Sequence, residues 1–230
     1  MKYILALIVL TMIGVGVYAF SQERMAPASQ DSVESANSLP EGASVVTDGV
    51  YSVIPGESRV EWAGKKPLLD GYINTGSIAV STGAITVAQK KATAEFTMDM
   101  DTLSVSATPT KPGQENALEG HLKGERWFDV AAHPTAAFAI TNVTERTDST
   151  ETFVYDITGD LTLKGQTHQV TFPATIYQTP DGRVHAAGAF EIDRTKWGIT
   201  MGSSNFFENL AENAVDDMVA LSFSLVAAAQ

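Results

Sequence analysis

Residues 153–192 read FVYDITGDLTLKGQTHQVTFPATIYQTPDGRVHAAGAFEI. Apolar and polar side chains alternate through three runs, and two turn signals separate them. In residues 153–164, Phe153, Tyr155, Ile157, Gly159, Leu161 and Leu163 share a face. In 167–178, His168, Val170, Phe172, Ala174 and Ile176 do so, and in 183–194, Val184, Ala186, Gly188, Phe190 and Ile192. A period of two is that of a half-buried strand. Lys164-Gly165-Gln166-Thr167 predicts a type II′ turn with Gly165 first, which sets Leu163 opposite His168, Ile157 opposite Ala174 and Tyr155 opposite Ile176. The second loop must hold an odd number of residues for the apolar faces to coincide. Thr179-Pro180-Asp181-Gly182-Arg183 supplies one, with a type I turn at Pro180 and Asp181 and a left-handed bulge at Gly182. The result is a three-stranded antiparallel meander.

The rest of the chain from Val50 onward follows the same period. Ala92, Ala94, Phe96 and Met98 share a face, as do Val219, Leu221, Phe223 and Leu225. Further strands are expected at 59–65, 72–80, 84–88 and 136–143. Short helices are expected at 115–124 and at 205–212, where Asn205 would cap the first turn. Twelve-residue strands span ~40 Å, and a twisted sheet of such strands curls. Closure removes exposed edges, and about eight strands enclose room for one small ligand. The expectation is an all-β fold, an extended antiparallel barrel of about eight strands with one or two short helices.

The inward rows of the meander are uneven. They stack as Gly159/Phe172/Phe190, then Ile157/Ala174/Gly188, then Tyr155/Ile176/Ala186, and the middle layer lacks bulk. An apolar tunnel at that level is one reading. A filled core is the other, with Phe96, Phe138 or Trp62 from other strands occupying the gap. The pattern alone leaves both open.

Composition narrows the function. The 230 residues carry 15 Lys+Arg against 27 Asp+Glu, a net charge of −12. An acidic chain is poorly suited to nucleic acid. Zero Cys removes disulfides, thiolate metal sites and a Cys nucleophile. Tyr3 to Phe20 is uncharged and just long enough to span a thin membrane, and Val17-Tyr18-Ala19 offers a cleavage point. Residues 1–20 are thus a signal peptide or an uncleaved anchor. Either sends the domain outward, to a periplasmic or extracellular site. Residues 21–47 read as a flexible linker with a reach of ~30 Å, and 48–230 as the domain. The sequence leaves room for a homodimer.

Several blocks carry a resemblance. They are Tyr51-Ser52-Val53-Ile54 with Ser58-Arg59-Val60-Glu61-Trp62; Gly120-His121-Leu122-Lys123 with Trp127-Phe128-Asp129-Val130 and His133-Pro134-Thr135-Ala136-Ala137-Phe138; Ile157 to Gly165 running into Val170-Thr171-Phe172-Pro173; Ile192 to Ile199; and Phe206 to Leu210 with Asp216-Asp217. In this order they resemble the YceI-like family of exported lipid-binding proteins, from about Gly49 to Ala228. The resemblance implies a lipocalin-like barrel around a long isoprenoid or fatty-acid-like amphiphile, bound without catalysis. It carries no catalytic residue over to this chain, and no cofactor is expected.

The wall residues expected for such a ligand are Tyr155, Ile157, Phe172, Ala174, Ile176, Gly188 and Phe190. Phe96, Met98, Phe138, Ile140, Leu221 and Phe223 follow as secondary candidates. His121, Lys123 and Arg194 are candidate head-group contacts, with Arg126, Lys164 and Lys196 behind them. Each has a structural alternative, and for Arg194 it is an ion pair or carbonyl contacts fixing the strand end. No metal site is expected: His168 and His185 have opposite phase, and Asp99-Met100-Asp101 lacks companion ligands. No Gly-x-Ser-x-Gly elbow or phosphate loop occurs. Two other readings stay open, an interaction module with a filled core and a lipid-modifying enzyme.

Overall fold

The computed structural model describes residues 39–147 and 152–230. Residues 1–20 and most of the linker lie outside them. Within the described residues there are nine strands: β1 (Gly49–Val53), β2 (Arg59–Lys65), β3 (Ile73–Ala88), β4 (Lys91–Ala107), β5 (Thr135–Glu145), β6 (Val154–Leu163), β7 (Gln166–Gln178), β8 (Val184–Asp193) and β9 (Met218–Ala229). One helix, α1 (Glu115–Lys123), follows β4.

All neighbouring strands are antiparallel. Each of β4 to β8 pairs with the next in sequence, β9 pairs with β2, β2 with β3, and β3 with β4, which closes the barrel. β1 pairs with both β3 and β9 beyond the end of β2. The two strands therefore share one lane, interrupted by a short 3-10 turn at Pro55–Glu57. Eight lanes make the closed barrel expected from the sequence. Among residues 39–47, Ser44 bridges to the end of β7 through Gln178, and Thr47 also bonds that side chain.

The meander forms with one change of register. β7 and β8 pair as expected, Ala174 with Gly188 and Ile176 with Ala186. Their loop also closes as expected, with Gly182 at φ 84° and its N–H donating to the Thr179 carbonyl. Between β6 and β7 the turn is Lys164-Gly165, and Leu163 faces Gln166. Lys164 has φ 48° and Gly165 φ 70°, which makes the turn type I′ and corrects the type II′ expectation. Lys164 tolerates this backbone with its ammonium donating to the Glu125 carbonyl at 3.0 Å. The shift is by two residues, so the inward face is unchanged. Ile157 now faces Phe172, and Tyr155 faces Ala174. On the outer face, Thr162 bonds Thr167 at 2.8 Å and Thr158 bonds Thr171 at 2.9 Å.

Two other expectations change. The segments 72–80 and 84–88 are one long strand, β3, with register shifts against β4 at Val80/Thr82. Ser81-Thr82-Gly83 fills the gap between the two expected strands. It stays extended because the Ser81 hydroxyl bonds the Thr97 carbonyl and Phe96 packs where a Cβ of Gly83 would lie. The expected helix at 205–212 is absent; only Ala211–Asn213 forms a 3-10 turn. Asn205 does not cap it, because its side-chain amide donates to Asp217 at 2.7 Å.

One end of the barrel is plugged by the segment after β8. Trp197 and Ile199 are buried there, and the Trp197 indole donates to the Leu161 carbonyl at 3.0 Å. Arg194 is 3% exposed. Its guanidinium donates to the carbonyls of Ile199, Met201, Val215 and Asp216 and to the Asp217 carboxylate. One side chain thus fastens the β8 end to the loop before β9.

Candidate ligand-binding cavity

Among the described residues, two apolar cavities lie in the barrel interior. The larger, of about 560 Å³, lies under α1 and the loops around 64–72, 124–128 and 194–215. Its lining includes Trp62, Ile78, Met100, Leu118, Trp127, Phe128, Ile192, Val215 and Val219. A volume of this size suits a small-molecule ligand. The smaller cavity is about 110 Å³ and is lined by Phe96, Phe138, Ile157, Phe172, Ala174, Phe190 and Phe223, among others. Val60, Met98, Leu161 and Leu221 line both. The two volumes are therefore consecutive chambers along one barrel interior.

The smaller chamber coincides with the level where the sequence suggests a tunnel, but most of that level is filled. Phe172 and Phe190 stack with centroids 4.1 Å apart, and Phe138 and Phe223 pack on Phe172 at 5.5 and 5.6 Å. The inward glycines explain how the rings fit. Trp62 lies opposite Gly76, Phe96 opposite Gly83 and Phe223 opposite Gly188. A Cβ on any of these glycines would fall within 3 Å of the facing ring. The ring of one strand covers the bare backbone of its neighbour, a device that also fixes register. Low bulk in a row of the sequence thus marks a seat for a neighbouring ring, and the main volume lies in the other half of the barrel.

The expected wall residues divide accordingly. Ile157, Phe172, Ala174, Ile176, Phe190, Phe96, Phe138, Ile140 and Phe223 line the smaller chamber, and Met98 and Leu221 line both. Tyr155 and Gly188 line neither. Tyr155 is half-buried against the Ile157, Phe172 and Ala174 cluster. Burial, together with the nearby Glu145 carboxylate, raises the pKa of its phenol. Gly188 faces Phe223 rather than open space, so a bulky side chain there collides with the wall instead of filling a tunnel.

The head-group candidates also separate. His121 and Arg194 line the large chamber, and Lys123 does not. Lys123 pairs with Glu119 at 2.8 Å along α1. Arg194 is engaged on every side by the carbonyls and Asp217, and its guanidinium lies 5.3 Å from the Trp127 ring. Burial pushes its pKa below the ordinary value, while Asp217, Asp193 and Asp216 act in the opposite sense. Its role is to hold the plug. Arg126, Lys164 and Lys196 line neither chamber, and two cations that do line the larger one are engaged: Lys65 pairs with Asp216 at 3.4 Å, and Lys66 sits 5.0 Å from the Tyr72 ring. His168 packs edge-on against Trp197 at 5.1 Å, and His185 stacks on Tyr177 outside the barrel. Among the described residues no group of His, Asp and Glu could hold a metal ion.

The large chamber draws on residues not expected as walls from the sequence, chiefly Asn74, Met100, Leu118, Trp127 and Phe128, and on Trp62, which the sequence offered only as a core filler. Asn74 carried a signal: it is a polar residue on the inward phase of an otherwise apolar row with Gly76 and Ile78. The remaining walls come from loops and α1, which have no period of two to reveal their inner side.

A YceI-like domain model matches residues 51–227. The chain belongs to the YceI-like family. The match runs from within β1 to within β9 and takes in all the strands between them. Solved structures agree on the fold of this YceI-like chain. BcnA of Burkholderia cenocepacia is 21% identical, with a TM-score of 0.54 over 76% of this chain and 98% of that one. A polyisoprenoid binding domain from Saccharophagus degradans, implicated in plant cell wall breakdown, is 15% identical, with a TM-score of 0.59 over 78% of this chain and 98% of that one. No curated protein sequence matches the chain significantly.

Proposed function

We propose that this YceI-like protein is an exported carrier that sequesters a long-chain isoprenoid or fatty-acid-like amphiphile without transforming it. The observation that carries the reading is the large chamber of about 560 Å³, walled almost wholly by apolar side chains and continued by the smaller one. Each buried CH₂ contributes about 0.8 kcal/mol, so a hydrocarbon tail binds there with few polar contacts. The binding function printed for the Saccharophagus degradans domain supports the same ligand class. Polar side chains around the chamber support binding over chemistry, because Arg194 and Lys65 are committed to structural contacts. Leu68, Phe206 and Phe207 are exposed apolar residues on the loops that rim the chamber, a surface suited to exchange with a lipid layer. Export rests on the uncharged run Tyr3 to Phe20. N-terminal sequencing of the mature protein distinguishes a cleaved signal from a retained anchor.

Gly64 provides the occlusion test. It lines the large chamber, and a Cβ built there meets nothing within 4 Å. The expected outcome is that Gly64→Phe folds with wild-type circular dichroism yet takes up at least tenfold less prenyl chain from vesicles. Native mass spectrometry of wild-type protein extracted without strong detergent should show an intact bound amphiphile. A converted product would replace the carrier with an enzyme. Unchanged uptake by the folded variant would move the binding site elsewhere.

A further inference from the structure

Two buried polar atoms in the wall of the large chamber have no partner. The indole N–H of Trp62 and the amide oxygen of Asn74 are closed off from water and bond to nothing among the described residues. The residues are 9% and 7% exposed and both line the chamber. The β2–β3 register sets Trp62 opposite Gly76 and Gly64 opposite Asn74. Both side chains therefore belong to the same inward face, one pleat repeat apart. The barrel matches its polar groups elsewhere: the Trp197 indole reaches the Leu161 carbonyl, Ser58 reaches the Val226 backbone, and Gln178 bonds Gly182 and Tyr51. Folded proteins leave few buried groups unmatched, and each exception calls for a partner. Here the two exceptions are a donor and an acceptor on one wall of one ligand-sized chamber.

We infer that Trp62 and Asn74 form a polar subsite for the hydroxyl end of a long-chain alcohol. A hydroxyl oxygen accepts from the indole N–H while its proton is donated to the amide oxygen, so a single group satisfies both. Neither atom is open to the chamber as the barrel stands, so the subsite requires both side chains to turn toward the adjoining volume when the alcohol enters. A charged head group is disfavoured, because Lys65, Lys66 and Arg194 on the same lining are engaged with Asp216, the Tyr72 ring, and Asp217 with backbone carbonyls. The inference rests on the carrier reading and adds which chemical end the chamber recognises.

The test compares geranylgeraniol, its methyl ether and its diphosphate on delipidated full-length protein by titration calorimetry. The methyl ether keeps the oxygen acceptor and lacks the proton. Wild type should bind the alcohol at least tenfold more tightly than the ether, and more tightly than the diphosphate. Asn74→Leu, which removes the acceptor and keeps the branched outline of the side chain, should bring the alcohol down to the ether's affinity and leave the ether unchanged. Trp62→Phe, which removes the donor together with part of the ring that packs on Gly76, should weaken both. The apo melting temperature of Asn74→Leu should not fall, since an unmatched carbonyl is lost. Equal wild-type affinity for alcohol and ether overturns the subsite while the carrier stands, and so does tighter binding of the diphosphate. Failure of all three chains to bind overturns both. The wild-type comparison decides even if a variant does not fold.

Discussion

Arg194 concentrates more of the fold's polar bonding than any wall residue does. It is 3% exposed, and its guanidinium joins four carbonyls and one carboxylate across residues 194–217. Removing one partner of such a buried pair leaves the other partners uncompensated, at about 3–5 kcal/mol. Arg194→Ala should therefore lower the urea midpoint by a large fraction of total stability. Asp217→Asn retains hydrogen-bonding capacity and faces water in part, so it should cost less. A loss under ~1 kcal/mol for Arg194→Ala would be no more than an exposed pair contributes, and would return the guanidinium to the list of ligand contacts. The sequence showed this position as an Arg-x-x-Trp-Gly block with two readings. What it could not show was the number of carbonyls that the loop before β9 turns toward it. Asn74 is the opposite case. Its odd polarity is legible in sequence, but whether a polar residue on an inward face is satisfied depends on neighbours far along the chain.

At the scale of elements, alternation and turn chemistry were enough for the meander, because parity alone decides which face is inside. Loop 179–183 has an odd length and a glycine at the one left-handed position, and it closes as expected. The Lys164-Gly165 turn was harder to place, since a lysine at φ 48° is stabilised by Glu125, a residue 39 positions away. The lid over the large chamber was legible as a helix but not as a wall. Helix α1 contributes Leu118, His121 and Leu122 to the lining. Two carboxylates hold it: Glu115 accepts from the Thr108 hydroxyl at 2.6 Å, and Glu119 pairs with Lys123 at 2.8 Å. Those contacts lower both pKa values below the ordinary 4.5. The stabilising contribution is therefore complete above about pH 4.5 and is lost as pH falls through the lower folded values. Amide exchange of residues 115–123, corrected for its intrinsic pH dependence, should accelerate on acidification through that window, while β6 and β7 stay protected. Equal protection of α1 on both sides of it would mean that the carboxylates do not hold the lid.

For the whole molecule, the barrel is a shell whose interior is largely filled by rings around Phe172 and opens into the larger chamber in its other half. The larger chamber leaves apolar side chains such as Leu118, Phe128 and Val219 only partly buried along its wall. Such lining loses dispersion contacts that a filled core would have. A ligand that fills the chamber supplies them, and binding only the folded state adds stability by mass action, about 2.7 kcal/mol at a hundredfold excess over Kd. For a chain of this size, each kcal/mol moves the melting temperature by roughly 2–4 °C. Saturation with a long-chain prenyl alcohol should thus raise the midpoint of the delipidated protein by roughly 5–10 °C, and calorimetric titration should give a negative heat-capacity change. Gly64→Phe, with the chamber already occupied by its own ring, should show neither effect. A wild-type midpoint indifferent to saturating ligand would mean that the chamber is sealed to hydrocarbon and that the barrel serves a purpose other than carriage.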